Sequence, residues 1–369
     1  MDSSIDRPST LGKRAPGVLD PSVARQIPIP IGSDAPTHSP RRLFDGFSRN
    51  ITYLRVSVTD RCDLRCTYCM PKHMVFAPKA ETLSLDELAQ LSRLFIGSGV
   101  TQIRLTGGEP LLRRGVMGLV EGLGSELGRG LNELTLTTNG VHLQGHAEGL
   151  FEAGVRRVNV SLDTLDPGRF ASITRGGDVS KVLAGLSAAR RAGLAVKINT
   201  VALRQDNAAD IPDLIAWAHG EGFDLSLIET MPLGYADEDR TTQFLPLTEV
   251  RAALEARWTL TPVSDRTNGP ARYVRVAETG GRLGFITPLT HGFCGDCNRV
   301  RLTSQGHLFA CLGAETFTDL RTPLRAGAGD DAILCLIRAA VLAKAQGHDF
   351  TPARLARPTL TRHMSVTGG

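Results

Sequence analysis

The chain has 369 residues, 41% of them hydrophobic, and its 42 basic and 38 acidic residues leave a formal net charge of only +4. This balance argues against a nucleic-acid binder, and no apolar run is long enough to span a membrane. Because the first residues also lack the apolar segment of a secretory signal, we expect a cytoplasmic protein with neither nucleic acid nor membrane as a partner.

Residues 1–46 differ in composition from the rest of the chain. They contain seven prolines, scattered serines and both charges, without a sustained helical or strand periodicity. We therefore predict a mostly disordered leader over residues 1–46, to which we assign no role.

From Tyr53 onward, short β-rich runs alternate with helical stretches, which is typical of βαβ units and a parallel sheet. The best-marked helix follows Ser84, where Glu87 completes a capping box. Further helices are predicted over 115–127, 179–192 and 209–219. The predicted strands are 53–59, 101–106, 133–138, 157–162, 195–201 and 223–229.

The alternation stops after Met231, which places a boundary between a barrel domain, 47–231, and a C-terminal region, 232–369. Six βα units are too few to close a full TIM barrel, so we predict an α/β fold with a partial, open (β/α)6 barrel of the TIM type. The C-terminal region would cover its open side and carry a metal centre of its own, at the cysteines of residues 294–311, across the mouth of the barrel. Cys335, in an apolar stretch of that region, is predicted to be a buried core thiol. The region's other predicted elements are a helix over 248–256 and strands over 272–276, 282–287 and 299–303.

One face of the predicted strands is polar, and the interleaved positions are mostly Leu, Val and Ile. A closed barrel usually fills its interior with branched apolar side chains, so this pattern predicts a hollow, cationic lumen that holds a polar ligand. The alternative, that these side chains face solvent, is disfavoured because helices should cover the outer face. The polar positions are Arg55, Ser57, Arg104, Thr135, Thr137, Asn159, Ser161, Lys197, Asn199 and Glu229.

Chemically specialised loops follow several predicted strands. The second strand leads into Gly107-Gly108-Glu109-Pro110, the third into Asn139-Gly140, the fourth into Asp163 and the sixth into Met231. Glycines allow the backbone to approach a ligand closely. Because the carboxyl ends of the strands form one rim of a barrel, we expect the active site there.

Six of the seven cysteines fall into two triads, Cys62-x3-Cys66-x2-Cys69 and Cys294-x2-Cys297-x13-Cys311. In a chain without an export signal, this spacing indicates metal ligands rather than disulfides. A closed zinc site or a simple electron-transfer iron–sulfur cluster takes four protein ligands, so three ligands leave a coordination position for a small molecule. The alternative is a pair of zinc sites completed by His73 and by His291 or His307.

The first triad, with Tyr68 before its last cysteine and Gly107-Gly108-Glu109-Pro110 downstream, resembles that of the radical S-adenosylmethionine enzymes. Within that superfamily the resemblance is closest to the GTP 3′,8-cyclase family of molybdenum cofactor biosynthesis, and it runs from about residue 46 to the end. It rests on the runs LRVSVTDRC (54–62) and RLTGGEP (104–110), the second triad and the terminal Gly368-Gly369.

This resemblance implies a radical reaction at the first triad. Cys62, Cys66 and Cys69 would hold a [4Fe-4S] cluster, and S-adenosylmethionine bound at its open iron would be cleaved with one electron from a reducing donor. The resulting radical would take hydrogen from C3′ of GTP, and the sugar radical would attack C8 to give (8S)-3′,8-cyclo-7,8-dihydroguanosine 5′-triphosphate. The implied S-adenosylmethionine contacts are Tyr68, Gly108, Ser161 and Met231.

The resemblance also implies the substrate site. Cys294, Cys297 and Cys311 would hold a second [4Fe-4S] cluster, whose open iron would bind the guanine of GTP. The chain has no Walker-type phosphate loop, so charged side chains must neutralise the triphosphate. The implied GTP contacts are Arg55, Arg104, Thr137, Lys197, Arg299, Val300 and Arg301.

The family implies roles for the tail and for partners as well. Gly368 and Gly369 are implied in catalysis, a homodimer is expected, and a cyclic pyranopterin monophosphate synthase would receive the product. Two alternatives stay open on the residues alone: another radical S-adenosylmethionine enzyme with an auxiliary cluster, such as a peptide-modifying one, and a zinc-stapled binding module. Metal content separates the last of these, because iron and sulfide give a brown protein whereas zinc gives a colourless one.

Overall fold

The computed structural model describes residues 42–235, 237, 239–264, 269–356, 358 and 360–368. Within them, six parallel strands follow one another in chain order, which confirms the predicted partial (β/α)6 barrel. Their bounds lie within two residues of the predicted ones. They are β1 Tyr53–Ser57, β2 Gln102–Thr106, β3 Glu133–Thr138, β4 Arg157–Ser161, β5 Ala195–Val201 and β6 Asp224–Ile228.

Helices cover the outer face of the barrel. Leu88, Leu91 and Phe95 of the first helix are buried in the same hydrophobic core as the outward strand residues. Ser84 Oγ accepts the Glu87 backbone N–H at 3.0 Å, and Glu87 Oε2 accepts the Ser84 N–H at 2.6 Å, which confirms the capping box. The helices up to residue 255 are α1 Leu85–Gly97, α2 Val116–Gly124, α3 Ala147–Glu152, α4 Pro167–Thr174, α5 Val179–Arg191, α6 Ile211–Gly220, α7 Arg240–Gln243 and α8 Leu247–Glu255.

The C-terminal region extends the sheet at both edges of the barrel. β9 (Arg282–Ile286) pairs in parallel with β6, and β10 (Arg299–Leu302) pairs in parallel with β1, in a register that sets Tyr53 opposite Arg299. The boundary predicted after Met231 therefore lies within one continuous sheet. The outer strands are antiparallel to their neighbours and comprise β7 Leu260–Pro262, β8 Arg272–Val276, β11 His307–Phe309 and β12 Thr318–Asp319.

The direction of β10 decides where the second cysteine triad lies. Because β10 runs parallel to β1, the residues that precede it lie at the amino ends of the strands, where Asn298 O accepts the Tyr53 backbone N–H at 3.2 Å. We expected this region to carry its metal centre across the mouth of the barrel. Instead, Cys294 and Cys297 approach from the end opposite to the loop of Cys62, which follows β1.

Two other expectations need correction. Residues 42–46, placed in the disordered leader, are packed through buried Leu43 and Asp45, while residues 1–41 lie outside the described residues. Cys335 is exposed, because α10 (Asp330–Leu342) turns Ile333 and Ile337 toward the core and Cys335 lies on another face. The remaining described helices are α9 Arg321–Arg325 and α11 Met364–Thr367. Among the described helices, none has the length and apolarity of a membrane span.

His307 in β11 yields a prediction for the pH dependence of stability. Burial lowers the pKa of its imidazole from 6.5 to about 4, and its ring centre lies 4.0 Å from that of Phe317. Between these values the unfolded chain binds a proton that the folded chain does not, so stability present above about pH 6.5 is lost as the pH falls through this window. Between about pH 6.5 and about pH 5, we expect the unfolding free energy of His307→Phe to fall by about 2 kcal/mol less than that of the wild type. Chemical denaturation of both proteins measures this difference, and parallel pH profiles would contradict it.

Candidate active site

A cavity occupies the lumen of the barrel. Its wall contains side chains that the strand periodicity placed there, namely Arg55, Arg104, Asn159, Lys197 and Asn199. The prediction of a hollow, polar lumen is therefore confirmed. The wall also contains residues that the periodicity argument did not single out, among them Tyr53, Gln102, Glu133, Arg157, Phe293, Lys344 and His348.

Positive charge dominates this cavity. The described wall contains seven cationic side chains, and its carboxylate, that of Glu133, already accepts a hydrogen bond from Arg157 at 2.7 Å. Burial and the charges of Arg104 and Arg299 lower the pKa of Arg55 to about 10. The cations are Arg55, Arg104, Arg157, Lys197, Arg299, Arg301 and Lys344. Because buried like charges are costly without counter-ions, this lumen suits an anionic ligand.

Polar atoms without partners mark the same lumen-facing positions. They include Arg55 Nε, Gln102 Oε1 and Asn159 Oδ1, which are buried and have no hydrogen-bond partner among the described residues. The same holds for Thr137 Oγ1, Asn199 Oδ1 and Ser226 Oγ. Buried polar groups normally have partners, so these atoms indicate that a polar ligand belongs in the lumen.

Only some of the residues implied as substrate contacts line the cavity. Thr137 is on a lumen-facing position of β3 but does not belong to the cavity wall. The Val300 side chain is fully buried in the main hydrophobic core, which leaves only its backbone for a ligand contact. The residues of this implied set that line the cavity are Arg55, Arg104, Lys197, Arg299 and Arg301.

The first triad lies on the loop after β1. Burial raises the pKa of Cys62 to about 12 and that of Cys69 to about 11, and the charge of Cys69 raises the pKa of both Cys62 and Cys66, so the three thiols are neighbours. Arg240 and the Ser365 backbone N–H favour the thiolate form of Cys69. Such thiols ionise when a metal centre supplies positive charge, and three sulfur donors fit an iron–sulfur cluster. Among the described residues, no three His, Cys, Asp or Glu side chains converge on a position for a single metal ion.

Glu109 connects the loops after β2 and β3 through hydrogen bonds. Its buried carboxylate accepts hydrogen bonds from Leu111 N at 3.0 Å, Thr138 Oγ1 at 2.8 Å and Asn139 N at 2.6 Å. Burial nevertheless raises its pKa to about 7. Asn139 Nδ2 in turn lies 3.8 Å from Cys62 Sγ. The loops after β2 and β3 therefore meet beside the first triad, as expected for a common rim.

The residues implied in S-adenosylmethionine binding also lie at the carboxyl ends of strands. The Tyr68 hydroxyl donates to Asp163 Oδ2 at 2.8 Å, which fixes the ring beside β4, and burial raises the pKa of Asp163 to about 6. Ser161 ends β4 and is half-buried. Met231 follows β6 and, unlike Tyr68, Gly108 and Ser161, belongs to the cavity wall.

Gly107 and Gly108 pack against the chain that leads into the first triad. A Cβ at Gly107 would lie 2.2 Å from Thr59 O, and one at Gly108 would lie 2.3 Å from Arg61 O; Gly107 also has a φ of +146°. The sequence pattern predicts that these glycines allow close approach of a ligand. The structure adds a different reason, because only glycine allows this loop to approach residues 59–61.

Glu229 departs from the predicted lumen series. Its buried carboxylate accepts hydrogen bonds from Leu247 N at 3.2 Å, Leu289 N at 3.0 Å and Thr290 Oγ1 at 2.6 Å. These hydrogen bonds connect the C-terminal region to the end of β6. The carboxylate therefore binds protein groups and not a ligand in the lumen. The periodicity placed it in the lumen because a strand pattern does not reveal where the strand ends.

The C-terminal tail enters the barrel. Gly368 has a φ of +72°, and a Cβ there would lie 2.2 Å from Thr106 Cγ2 at the end of β2. Arg301 Nη1 donates to Gly368 O and, at 3.3 Å, to Thr367 O. The tail thus lies against the inner ends of the strands beside the cavity. Gly369 lies outside the described residues.

The second triad lines the amino end of the cavity, where all three of its members belong to the wall. Burial raises the pKa of Cys294. Burial also opposes ionisation of Cys297, but the charges of Arg299 and Lys344 outweigh it and lower the pKa to about 7. Three thiols beside cations, facing a ligand cavity, fit an iron–sulfur cluster with one position left for a ligand.

Comparison with known proteins identifies two family regions. Residues 56–218 match the Radical SAM superfamily, and residues 223–350 match Molybdenum Cofactor Synthesis C. The crystal structure of Streptococcus suis SuiB bound to S-adenosylmethionine is similar with a TM-score of 0.52 at 15% identity, over 72% of this chain and 60% of that chain. This likeness supports the barrel fold alone.

Curated relatives match nearly the whole chain. The GTP 3′,8-cyclase of Caulobacter vibrioides is 59% identical over 91% of this chain and 97% of its own length. The GTP 3′,8-cyclase of Erythrobacter litoralis is 58% identical over 89% of this chain and 98% of its own length. The chain therefore belongs to the GTP 3′,8-cyclase family of radical S-adenosylmethionine enzymes.

Proposed function

We propose that the chain cyclises GTP to (8S)-3′,8-cyclo-7,8-dihydroguanosine 5′-triphosphate, the first step of molybdenum cofactor biosynthesis, inside the barrel lumen. The observation that carries this proposal is the buried group of cations beside the second triad. A nucleoside triphosphate supplies the negative charge that would neutralise these cations. Its base would reach the triad at the amino end, and its ribose would face the rim of the first triad.

The cationic side chains would bind the triphosphate. Arg55, Arg104 and Arg301 come from adjacent strands, because β10, β1 and β2 are neighbours and Arg55 is opposite both Arg301 and Arg104 in register. Guanidinium groups donate in a fixed fork that matches phosphate oxygens. Lys197 adds a charge from β5, where Tyr273 OH accepts its ammonium at 2.6 Å. Neutralising this buried charge favours binding of the substrate over its nucleoside.

Membership of the radical S-adenosylmethionine superfamily implies a [4Fe-4S] cluster and S-adenosylmethionine. Cys62, Cys66 and Cys69 would hold the cluster, which would supply an electron for the reductive cleavage of S-adenosylmethionine. Tyr68, Gly108, Ser161 and Met231 would position S-adenosylmethionine at the rim. The helices on the outer face and the C-terminal tail would exclude water from the reacting atoms.

The second cluster and the partners belong to the same proposal. Cys294, Cys297 and Cys311 would hold a second [4Fe-4S] cluster that binds guanine, with Arg299 and Lys344 as nearby positive charges. A reducing electron donor, a homodimeric assembly, a cytoplasmic location and transfer of the product to a cyclic pyranopterin monophosphate synthase are further parts of it.

An anaerobic assay tests the proposal. The protein is reconstituted with iron and sulfide, supplied with dithionite and S-adenosylmethionine, and analysed by mass-resolved chromatography with and without GTP. We expect 5′-deoxyadenosine together with a cyclic nucleotide derived from GTP. Formation of 5′-deoxyadenosine with intact GTP would overturn the substrate, and bound zinc in place of iron would overturn the radical reaction.

The tail provides a separate prediction. Gly368→Ala would force a side chain into Thr106 and strain the backbone at a positive φ, so we expect the tail end to leave the barrel. A strain of about 1.4 kcal/mol corresponds to an about 10-fold loss of cyclised product. Because the position is terminal, the unfolding temperature should not change. Gly220→Ala, whose added Cβ meets nothing within 4 Å, is the control; full activity of Gly368→Ala would contradict a role for the tail.

A further inference from the structure

Arg49, from the segment just before β1, is bonded to the loop of the second triad. Its Nη1 donates to Cys294 O at 2.6 Å and to Gln346 O at 2.7 Å, and its Nη2 donates to Ala345 O at 2.7 Å. The first bond reaches a cysteine that we assign as a cluster ligand, while the others reach the turn after α10. Arg49 is not part of the cavity wall, so these bonds serve no direct contact with GTP.

Asp45 fixes the orientation of this guanidinium. Its Oδ2 accepts Arg49 Nε at 2.6 Å, and its Oδ1 accepts the backbone N–H groups of Phe47 at 2.9 Å and Arg49 at 3.0 Å. The side chains of Arg49 and Asp45 are 9% and 0% exposed. With four of its five N–H groups bonded to a carboxylate and three carbonyls, Arg49 is a preorganised contact, and a lysine in its place lacks the planar fork that reaches them together.

Lys344 bonds to both segments of the second triad. Its ammonium donates to Arg299 O at 2.9 Å and to Ala310 O, so it joins the strand after Cys297 to the residue before Cys311. The following turn packs against Cys294, since a Cβ at Gly347 would lie 3.3 Å from Cys294 Cβ. Arg49 therefore fixes the turn that carries Lys344, and Lys344 fixes the spacing between the two cysteine segments.

We propose that Arg49 and Lys344 are positioning residues for the second triad, which hold its cysteines at the spacing of an iron–sulfur cluster and keep positive charge beside it. The inference rests on the proposed function, in which a second cluster binds there. It assigns a role to the packed segment 42–50, whose first residues belong to the predicted leader.

The test compares the wild type with Arg49→Lys, Lys344→Met and a matched control, Arg93→Met, whose side chain is 52% exposed in a surface ion pair. Each protein is reconstituted anaerobically with iron and sulfide. Iron per chain, the electron paramagnetic resonance signal and midpoint potential of each cluster, S-adenosylmethionine cleavage and the unfolding temperature are measured.

For Arg49→Lys, we expect iron to fall from about eight to about four atoms per chain, with the signal of the second cluster lost and 5′-deoxyadenosine formation retained. For Lys344→Met, we expect the midpoint potential of any second cluster that assembles to become more negative, because a positive charge beside it is removed, while the potential of the first cluster is unchanged. Arg93→Met should match the wild type in every measurement.

Three outcomes would overturn the inference. Full iron content in Arg49→Lys with unchanged potentials in Lys344→Met would show that neither residue acts on the second triad. Equal loss of both clusters, with a lowered unfolding temperature, would show a general structural role. A wild type that itself holds only about four irons would instead refute the proposed second cluster, and the inference would fail with it.

Discussion

Replacing Cys311 with alanine is expected to abolish GTP cyclisation while sparing part of the cleavage of S-adenosylmethionine. Cys311 lines the amino end of the cavity, whereas the first triad lies on the loop after β1. Removing one of three cluster ligands should lower cyclised product by more than about 100-fold, the upper end of the loss seen when only a supporting residue is removed. Chromatography of 5′-deoxyadenosine and of the GTP-derived product measures both reactions in one sample.

Cys335→Ala is the matched control for this substitution. Cys335 is exposed on α10 and belongs to neither triad, so its replacement should leave iron content and both reactions unchanged. If Cys311→Ala lost S-adenosylmethionine cleavage and cyclisation to the same extent, the second triad would not be the substrate site.

Arg55→Met is expected to make the protein more stable and less active. Arg55 is buried near Arg104 and Arg299, and no carboxylate among the described residues forms an ion pair with it. Replacing a buried charge by an apolar side chain of similar size commonly stabilises a protein by about 1–4 kcal/mol. Binding of GTP should weaken at the same time, because hydrogen bonds to charged groups contribute about 1.5–3 kcal/mol, which corresponds to an about 100-fold rise in KM at the upper end.

Denaturant unfolding measures the expected gain in stability, and steady-state kinetics measure the expected rise in KM for GTP. Arg190→Met, at a side chain that is 54% exposed and paired with Glu221, should change neither the stability nor the KM appreciably. A less stable Arg55→Met protein with normal KM would mean that Arg55 supports the fold and not the substrate.

The barrel and much of its wall could be predicted because their signals are local. Alternation along β5 places Lys197 and Asn199 on one face and Val196 and Ile198 on the other, and the structure has that arrangement. The capping box at Ser84 is likewise complete within four residues. Such patterns depend only on the geometry of one strand or one helix, so they can be recognised in the sequence.

Long-range pairing could not be predicted in this way. Nothing in residues 299–302 indicates that they pair with β1, and the position of the second triad depends on that pairing. Arg49 and Lys344 were missed for the same reason, since each acts through carbonyl groups distant in sequence. Thr137 and Val300 show a limit of another kind. A family resemblance can imply that a residue contacts the substrate, but it does not say which of its atoms face the cavity, and neither residue belongs to the cavity wall.

The pairing of β1 with β10 has a consequence for how the chain is made. Asn298 Nδ2 donates to Thr52 Oγ1 across a sequence separation of 246 residues, so one edge of the barrel stays open until most of the chain has left the ribosome. Closure of so long a loop is slow, and an uncovered strand edge invites aggregation meanwhile. The cysteines of the first triad are complete at Cys69, whereas those of the second are complete only at Cys311. We therefore expect the two metal centres to be loaded in the order of translation, the first before the second.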